Sequence, residues 1–298
     1  MLGWRLAVSA IVVPLLLGLF YWDSQLGDGA PVLLVFCLLL TIRGAFELVY
    51  LLKTRVMRPV FSVTAICCVL TVLAAWGQHR LLPTAAGLPR LLQSMGLVGA
   101  SLVFSFLILL LTQAIRYRKP GHSMESLGAN SLTVLYAGGL LAVIAQFRWY
   151  PNPQIGYFAM GSVIIAAKAG DVMAYTFGRL WGKRKMVPLL SPGKTWMGGF
   201  GAVVGSCLGG WLWLTFGGRL FDARPVVSDM TSVLCYSAVI GVVGLIGDLC
   251  ESLIKRDVEK KDSATLMPGF GGLLDMLDSP LFAGPIALAW WVLWPPVG

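Results

Sequence analysis

Polar side chains in this chain are confined to short breaks between long apolar runs. The runs fall at about 6–22, 30–52, 60–77, 95–115, 131–147, 156–178, 196–216, 231–254 and 281–296. A helix needs about 20 apolar residues to cross the hydrocarbon of a bilayer. The pattern therefore predicts an all-α fold, a polytopic transmembrane helical bundle of about nine spans. The fifth and ninth runs are short, and their ends are the least defined. No internal repeat or soluble domain is visible. Residues 1–298 read as a single integral membrane domain, with N-terminal spans over 1–130 and the spans and loops that carry chemistry over 131–298.

The breaks differ in charge. With the N-terminus in the cytoplasm and the spans alternating, the cytoplasmic segments hold Arg5; Lys53, Arg55 and Arg58; Arg116, Arg118 and Lys119; Arg179, Lys183, Arg184, Lys185 and Lys194; and Lys255, Arg256, Lys260 and Lys261. These are sixteen of the 23 lysines and arginines, and the opposite side holds five, Arg80, Arg90, Arg148, Arg219 and Arg224. Such an excess marks cytoplasmic loops. Composition adds that 57% of residues are hydrophobic and 12% charged, against about 25% charged in soluble domains, which excludes a soluble protein. The net charge of +9 would suggest nucleic acid on a soluble chain. Here it is accounted for by basic loops facing anionic lipid, so no nucleic-acid partner is expected. Residues 1–23 look like a secretory signal, but they lack a small-residue cleavage pattern and run into Phe20-Tyr21-Trp22, an interfacial aromatic belt. They read as an uncleaved first span. The six cysteines lie inside apolar runs without metal-site spacing and read as small buried hydrophobes.

Carboxylates are expensive in such a chain, at roughly 2.5–3.5 kcal/mol near a bilayer centre, and several gather toward the C-terminus. The eighth run ends in Asp248, Glu251, Ser252, Lys255 and Arg256. On a helix Asp248, Ser252 and Lys255 share a face, with Glu251 one turn before Lys255. The plain alternative is an intrahelical ion pair at the interface. The segment Pro268 to Ser279 joins a glycine-rich turn to Asp275 and Asp278. Glycine N–H groups can cradle phosphate oxygens, and carboxylates three residues apart can hold a hard cation such as Mg²⁺. Here the alternative is a loop and a helix cap. The sixth span carries Lys168, Asp171 and Tyr175 on one face, with Lys168 placed to pair Asp171. A basic, hydroxyl-bearing stretch follows, through Ser191, Lys194 and Thr195; the glycine spacing of a Walker loop is absent. His122 and His79 are read as having no catalytic role. With no histidine among the acids, the implied chemistry is electrostatic and positional, suited to phosphoryl or nucleotidyl transfer. The two richest basic segments put such a site on the cytoplasmic face.

Several of these residues fit one pattern. Ser252-x-x-Lys255-Arg256, Lys261-Asp262 and Pro268-x-x-Gly271-Gly272-x-x-Asp275-x-x-Asp278 resemble the signature of the phosphatidate cytidylyltransferases, the CDP-diacylglycerol synthases. Asp171-x-x-Ala174-Tyr175-x-x-Gly178-Arg179 and Ser191-Pro-x-Lys194-Thr195-Trp196-x-Gly198 resemble two further stretches of that family, and Glu47 with the basic loop before Pro59 its second-span exit. The chain departs from the pattern at Phe270, where the family has histidine, and at Met276, where it has arginine.

The resemblance implies a dimeric enzyme of the inner (cytoplasmic) membrane that uses CTP, phosphatidic acid and Mg²⁺, with a second cation open, and releases pyrophosphate with CDP-diacylglycerol. It implies Asp248 and Asp275 as metal ligands assisted by Asp278, and Lys194, Lys255 and Arg256 on phosphates. Catalysis falls to Asp248, Asp275, Lys255 and Lys194. Substrate contacts extend to Ser191, Thr195, Lys261, Gly271, Gly272, Asp171, Tyr175 and Ser252. The remaining alternatives are a cytidylyltransferase or kinase of another lipid, such as a polyprenol or ether lipid, and an ion-coupled transporter using Asp171 and Asp248.

Overall fold

The computed structural model describes residues 2–53, 57–80, 90–118, 120–150, 153–221, 229–265 and 271–297. Within these the chain forms helices α1 (Leu2–Gln25), α2 (Pro31–Leu52), α3 (Phe61–Arg80), α4 (Arg90–Arg116), α5 (Ser123–Thr133), α6 (Leu140–Ala145), α7 (Pro153–Trp181), α8 (Trp196–Phe216), α9 (Met230–Asp257) and α10 (Leu274–Leu293). A π turn, Val134–Gly139, joins α5 to α6, and a short hairpin, β1 (Lys185–Val187) with β2 (Ser191–Thr195), lies between α7 and α8. Seven helical stretches are long and apolar enough to cross a membrane, and two shorter apolar helices, Ile11–Gln25 and Phe61–Gly77, bring the set into line with the nine runs. The polytopic all-α fold is borne out.

The helices group into two compact units, each discontinuous in sequence. The first comprises Gly29–Gln146 with Asp257–Asp275. Here α3 packs on α2, α4 and the π turn. The π turn brings Gly138 against α3 so closely that a Cβ there would stand 3.0 Å from the Cys68 Cα. The strand of chain entering α3 is fastened to α5. The Arg58 N–H donates to Ser126 Oγ (3.0 Å), and the Val60 N–H and Thr64 Oγ1 donate to Asn130 Oδ1 (3.0 and 2.8 Å).

The second unit comprises Leu2–Asp28, Phe147–Arg256 and Met276–Gly298. Its core is the α7–α8 pair, which is built on small residues. Gly201, Gly205 and Gly209 recur every fourth position of α8, and Cβ atoms there would strike Phe177, Met173 and Ala169 of α7. Close backbone approach of this kind is how helices gain packing in lipid, where apolar surface alone gives no preference for a protein neighbour. The Ser206 hydroxyl donates across the pair to the Ala166 carbonyl (2.9 Å). At the far end α1 is clasped by buried polar groups. Arg148 donates to the Gly27 carbonyl (3.0 Å), its guanidinium lies 4.9 Å over the Tyr157 ring, and Tyr157 donates to Asp23.

Three local features differ from the pattern read along the sequence. The hairpin stands where a plain loop was expected; it pairs Lys185 with Thr195 and Val187 with Ser191. The fifth span starts eight residues before its apolar run, at Ser123, because α5 and α6 are continuous through the π turn. The last helix starts at Leu274 rather than 281, so Asp275 and Asp278 lie on a helix rather than in the loop before it. Among the cysteines, Cys37, Cys67 and Cys68 are buried as expected, while Cys235 is exposed on α9.

Candidate functional site

Three carboxylates of the second unit converge. Asp248 and Glu251, one turn apart near the end of α9, meet Asp278 of α10, and an oxygen of each lies within 4.8 Å of the others. The approach depends on Gly247, where a Cβ would stand 3.0 Å from the Asp278 carbonyl and nearer still to Phe282. Gly244, one turn earlier, faces Ser279 in the same way, with 3.4 Å to its Cβ.

Each carboxylate has a lysine beside it, and the lysines come from three different elements. Lys194 of β2 reaches Asp248 (2.9 Å) and also donates to the Leu245 carbonyl (3.3 Å). Lys255 pairs with Glu251 (2.5 Å), both nearly buried. Lys168 of α7 bonds Asp171 (2.7 Å), the pair expected from their spacing, and lies 3.9 Å from Asp278. Ser279 ties the α7 and α10 acids together, with its hydroxyl on Asp171 (3.0 Å) and its N–H on Asp278 (2.6 Å). The Ser252 hydroxyl lies 3.5 Å from Asp248. Burying charge of one sign alone would be prohibitive, whereas four carboxylates interleaved with three ammonium groups are tolerable.

The donor set suits a hard divalent cation. Such ions take carboxylate oxygens, and Mg²⁺ is usually held by one or two carboxylates together with substrate phosphates. Asp248, Glu251 and Asp278 offer that cluster, and among the described residues they are the one group of metal-capable side chains so placed.

The glycine turn belongs to the first unit and is organised by two acids. The Glu47 carboxylate is buried in α2, pairs with Arg43 (3.0 Å) and accepts the Leu273 and Leu274 N–H groups (3.0 and 3.1 Å) and the Ser263 hydroxyl (3.0 Å). It thereby satisfies N–H groups that open α10. Asp275 accepts the Gly272 N–H (2.6 Å) and both the N–H and hydroxyl of Ser263 (2.9 Å each). Gly271 takes φ +88°, a left-handed conformation that suits glycine, and a Cβ at Gly272 would collide with Glu47 and Ser263. Among the described residues, the Gly272, Leu273 and Leu274 N–H groups are thus donated to Asp275 and Glu47.

Other residues singled out in the sequence are placed as follows. Thr195 caps α8, its Oγ1 accepting the Gly198 N–H (3.1 Å). Ser191, half-buried, opens β2, and the Tyr175 hydroxyl accepts from Arg179 (3.1 Å). Arg256 in the last turn of α9 and Lys261 beyond it are exposed. Met276 is half-buried on α10, while Pro268 and Phe270 lie outside the described residues.

Glu251 and Glu47 carry more than the sequence alone conveyed. Glu251 was legible only as the partner of Lys255. Glu47 entered the sequence reading only through the resemblance at the second-span exit, and its partners are more than 200 positions distant.

A family model described as the cytidylyltransferase family matches residues 4–294. Among similar proteins, the phosphatidate cytidylyltransferase of Haemophilus influenzae is 33% identical over 164 residues, covering 54% of this chain and 55% of that protein. The phosphatidate cytidylyltransferase of Mycobacterium leprae is 37% identical over 154 residues, covering 52% and 45%. The uncharacterized protein YnbB of Escherichia coli is 35% identical over 164 residues, covering 53% and 52%. The chain spans about half the length of the curated relatives it matches.

Proposed function

As the chain belongs to the cytidylyltransferase family, we propose that it transfers the cytidylyl group of CTP to phosphatidic acid, forming CDP-diacylglycerol and pyrophosphate for phospholipid synthesis. The observation that carries this reading is the cluster of Asp248, Glu251 and Asp278, each with a lysine at hand. Relatives named phosphatidate cytidylyltransferase support the choice of substrates.

In the reaction a phosphatidate phosphate oxygen attacks the α-phosphorus of CTP in line, a new P–O bond forms, and the bond to the β-phosphate oxygen breaks. Both reactants are anions, and they repel unless the site neutralises them. Lys194 and Lys255 are the groups for that work, with Arg256 at the exposed end of α9. Each lysine balances a carboxylate at rest, which keeps its ammonium group in place until phosphate oxygens arrive. Lys168 holds Asp171 and Asp278 in position. Mg²⁺ held by Asp248, Glu251 and Asp278 would supply charge neutralisation on the phosphates when bound. Asp275 was expected to share the ion with Asp248. It belongs to the first unit, and the proposal keeps to the three carboxylates that the second unit assembles within itself. Asp275 is given the task of shaping the Gly271-Gly272 turn within the first unit. Ser191, Thr195, Tyr175 and Ser252 line the approach from the hairpin, α7 and α9. The site faces the cytoplasm of the inner membrane, where CTP is available, and the protein functions as a homodimer in one integral membrane domain.

The test is purified protein in micelles with Mg²⁺, labelled CTP and phosphatidate, scored for the nucleotide-lipid product. The wild type is expected to form it, and Asp248→Asn to lose at least ~100-fold in rate while remaining folded. Product from a polyprenol or ether-lipid acceptor but none from phosphatidate would transfer the assignment to that substrate. Near-normal turnover by Asp248→Asn would remove the cluster from the mechanism.

A further inference from the structure

One cavity of the first unit is used by none of this chemistry. It has a volume of about 550 Å³ and lies where α4 ends and α5 begins. Leu110 and Gln113 line it from one face of α4, Tyr117 from just beyond the helix end, and Gly121, Met124 and Glu125 from the connection and the first turn of α5. The walls are mostly apolar, with a single polar side chain set deep in them. Gln113 is 7% exposed, and its Nε2 is buried without a hydrogen-bond partner. An amide donor left so is costly to bury, and it marks a place where an acceptor is expected.

The surroundings say which acceptor. Along the same face of α4, one and two turns before Leu110, Phe106 and Val103 are 46% and 61% exposed. That is an exposed apolar face on the side of α4 that carries Leu110 and Gln113. Arg116 and Arg118 flank Tyr117 and are exposed at the other end. Both sit in one of the basic segments assigned to the cytoplasmic face. The order along α4 is therefore apolar face, buried amide donor, cationic end. That is the order of acyl chain, ester carbonyl and phosphate in a glycerophospholipid.

We infer that this cavity binds an anionic glycerophospholipid as a resident lipid. One acyl chain lies along Val103 and Phe106, an ester carbonyl accepts from Gln113 Nε2, and the phosphate meets Arg116 and Arg118. Glu125, exposed in the first turn of α5, sets the headgroup: it accepts a hydrogen bond from a headgroup hydroxyl and repels a second phosphate. Phosphatidylglycerol meets these terms, and phosphatidylcholine does not. The placement of the arginines at the headgroups rests on the membrane orientation proposed above, whereas the cavity and its buried amide do not.

The test uses the full chain in nanodiscs containing phosphatidylglycerol and phosphatidylcholine in equal amounts. Lipids that stay bound after extraction are counted by native mass spectrometry. The wild type is expected to retain phosphatidylglycerol over phosphatidylcholine several-fold. Gln113→Leu and the pair Arg116→Gln with Arg118→Gln should each lower that ratio at least threefold. Met124→Trp, which fills the cavity from an exposed position, is a second route should the leucine variant fail to fold. Nucleotide turnover should be unchanged in these variants. Because the readout is bound lipid, Asp248→Asn should bind as the wild type does, so the failure of one reading leaves the other standing. Equal retention of the two lipids by the wild type, or an unchanged ratio in the variants, would overturn the inference. So would a dimer population that falls in the Met124→Trp protein with no lipid bound to the wild type, since the cavity would then be an interface between copies.

Discussion

Lys168 holds two acids of different helices, at 2.7 Å from Asp171 and 3.9 Å from Asp278. Its side chain is about one-third exposed, so its charge lies beside both carboxylates without sealing them from a ligand. Lys168→Met should leave two neighbouring carboxylates without their cation, whereas Lys168→Arg keeps the charge. On the positioning role, Met is expected to lower kcat by ~10–100-fold with the protein folded, and Arg to recover part of the loss. A purely structural role would instead lower thermal stability in both variants and leave kcat per folded molecule intact. The acids themselves were legible in the sequence because a carboxylate in an apolar run is conspicuous. Their partners were legible only when close along a helix, as with Lys168 and Asp171 or Glu251 and Lys255. Lys194 finding Asp248, and Ser279 finding Asp171, follow from helix packing that no local pattern encodes.

At the scale of elements the spans were plain, because hydropathy over some twenty residues is a strong signal. Their ends were not, because ends are set by where N–H and C=O groups find partners. The start of α10 is the case in point. Apolar character begins after Pro280, but Glu47 accepts the Leu273 and Leu274 N–H groups and so lets the helix begin at Leu274. The hairpin escaped notice because it has too few residues to show alternation, yet it is what carries Lys194 to Asp248. The small-residue seam of α8 was present in the sequence as glycines at every fourth position, a pattern that marks close helix contact in membranes. Gly205→Leu would force a side chain into the Ala169 carbonyl and the Met173 side chain. Overpacking of this kind costs roughly 1–3 kcal/mol, so the thermal transition of the detergent-solubilised protein should fall. Gly193→Leu, in the hairpin where a Cβ has open space, serves as the control and should leave the transition in place. Equal effects would mean that the seam is not a close contact.

For the whole molecule, the separation of chemistry from membrane rests on which loops lie on which side. Sides alternate from span to span, so the side of one loop fixes the side of every loop beyond it. The most economical check uses two sites divided by one helix. Leu189, at the tip of the hairpin, is 99% exposed, and Leu220, in the short turn Gly217–Phe221, is 50% exposed. Only α8 lies between them, so they must face opposite sides if α8 crosses the bilayer. In a background with the six native cysteines replaced, Leu220→Cys should react with a membrane-impermeant maleimide on intact cells. Leu189→Cys should react only after the membrane is opened. Labelling of Leu189→Cys from outside, with Leu220→Cys protected, would invert the orientation and place the lysine-bearing hairpin away from the cytoplasm. Labelling of both from one side would mean that α8 does not cross, and Lys194 and Asp248 would then need a different account of how they meet an aqueous nucleotide.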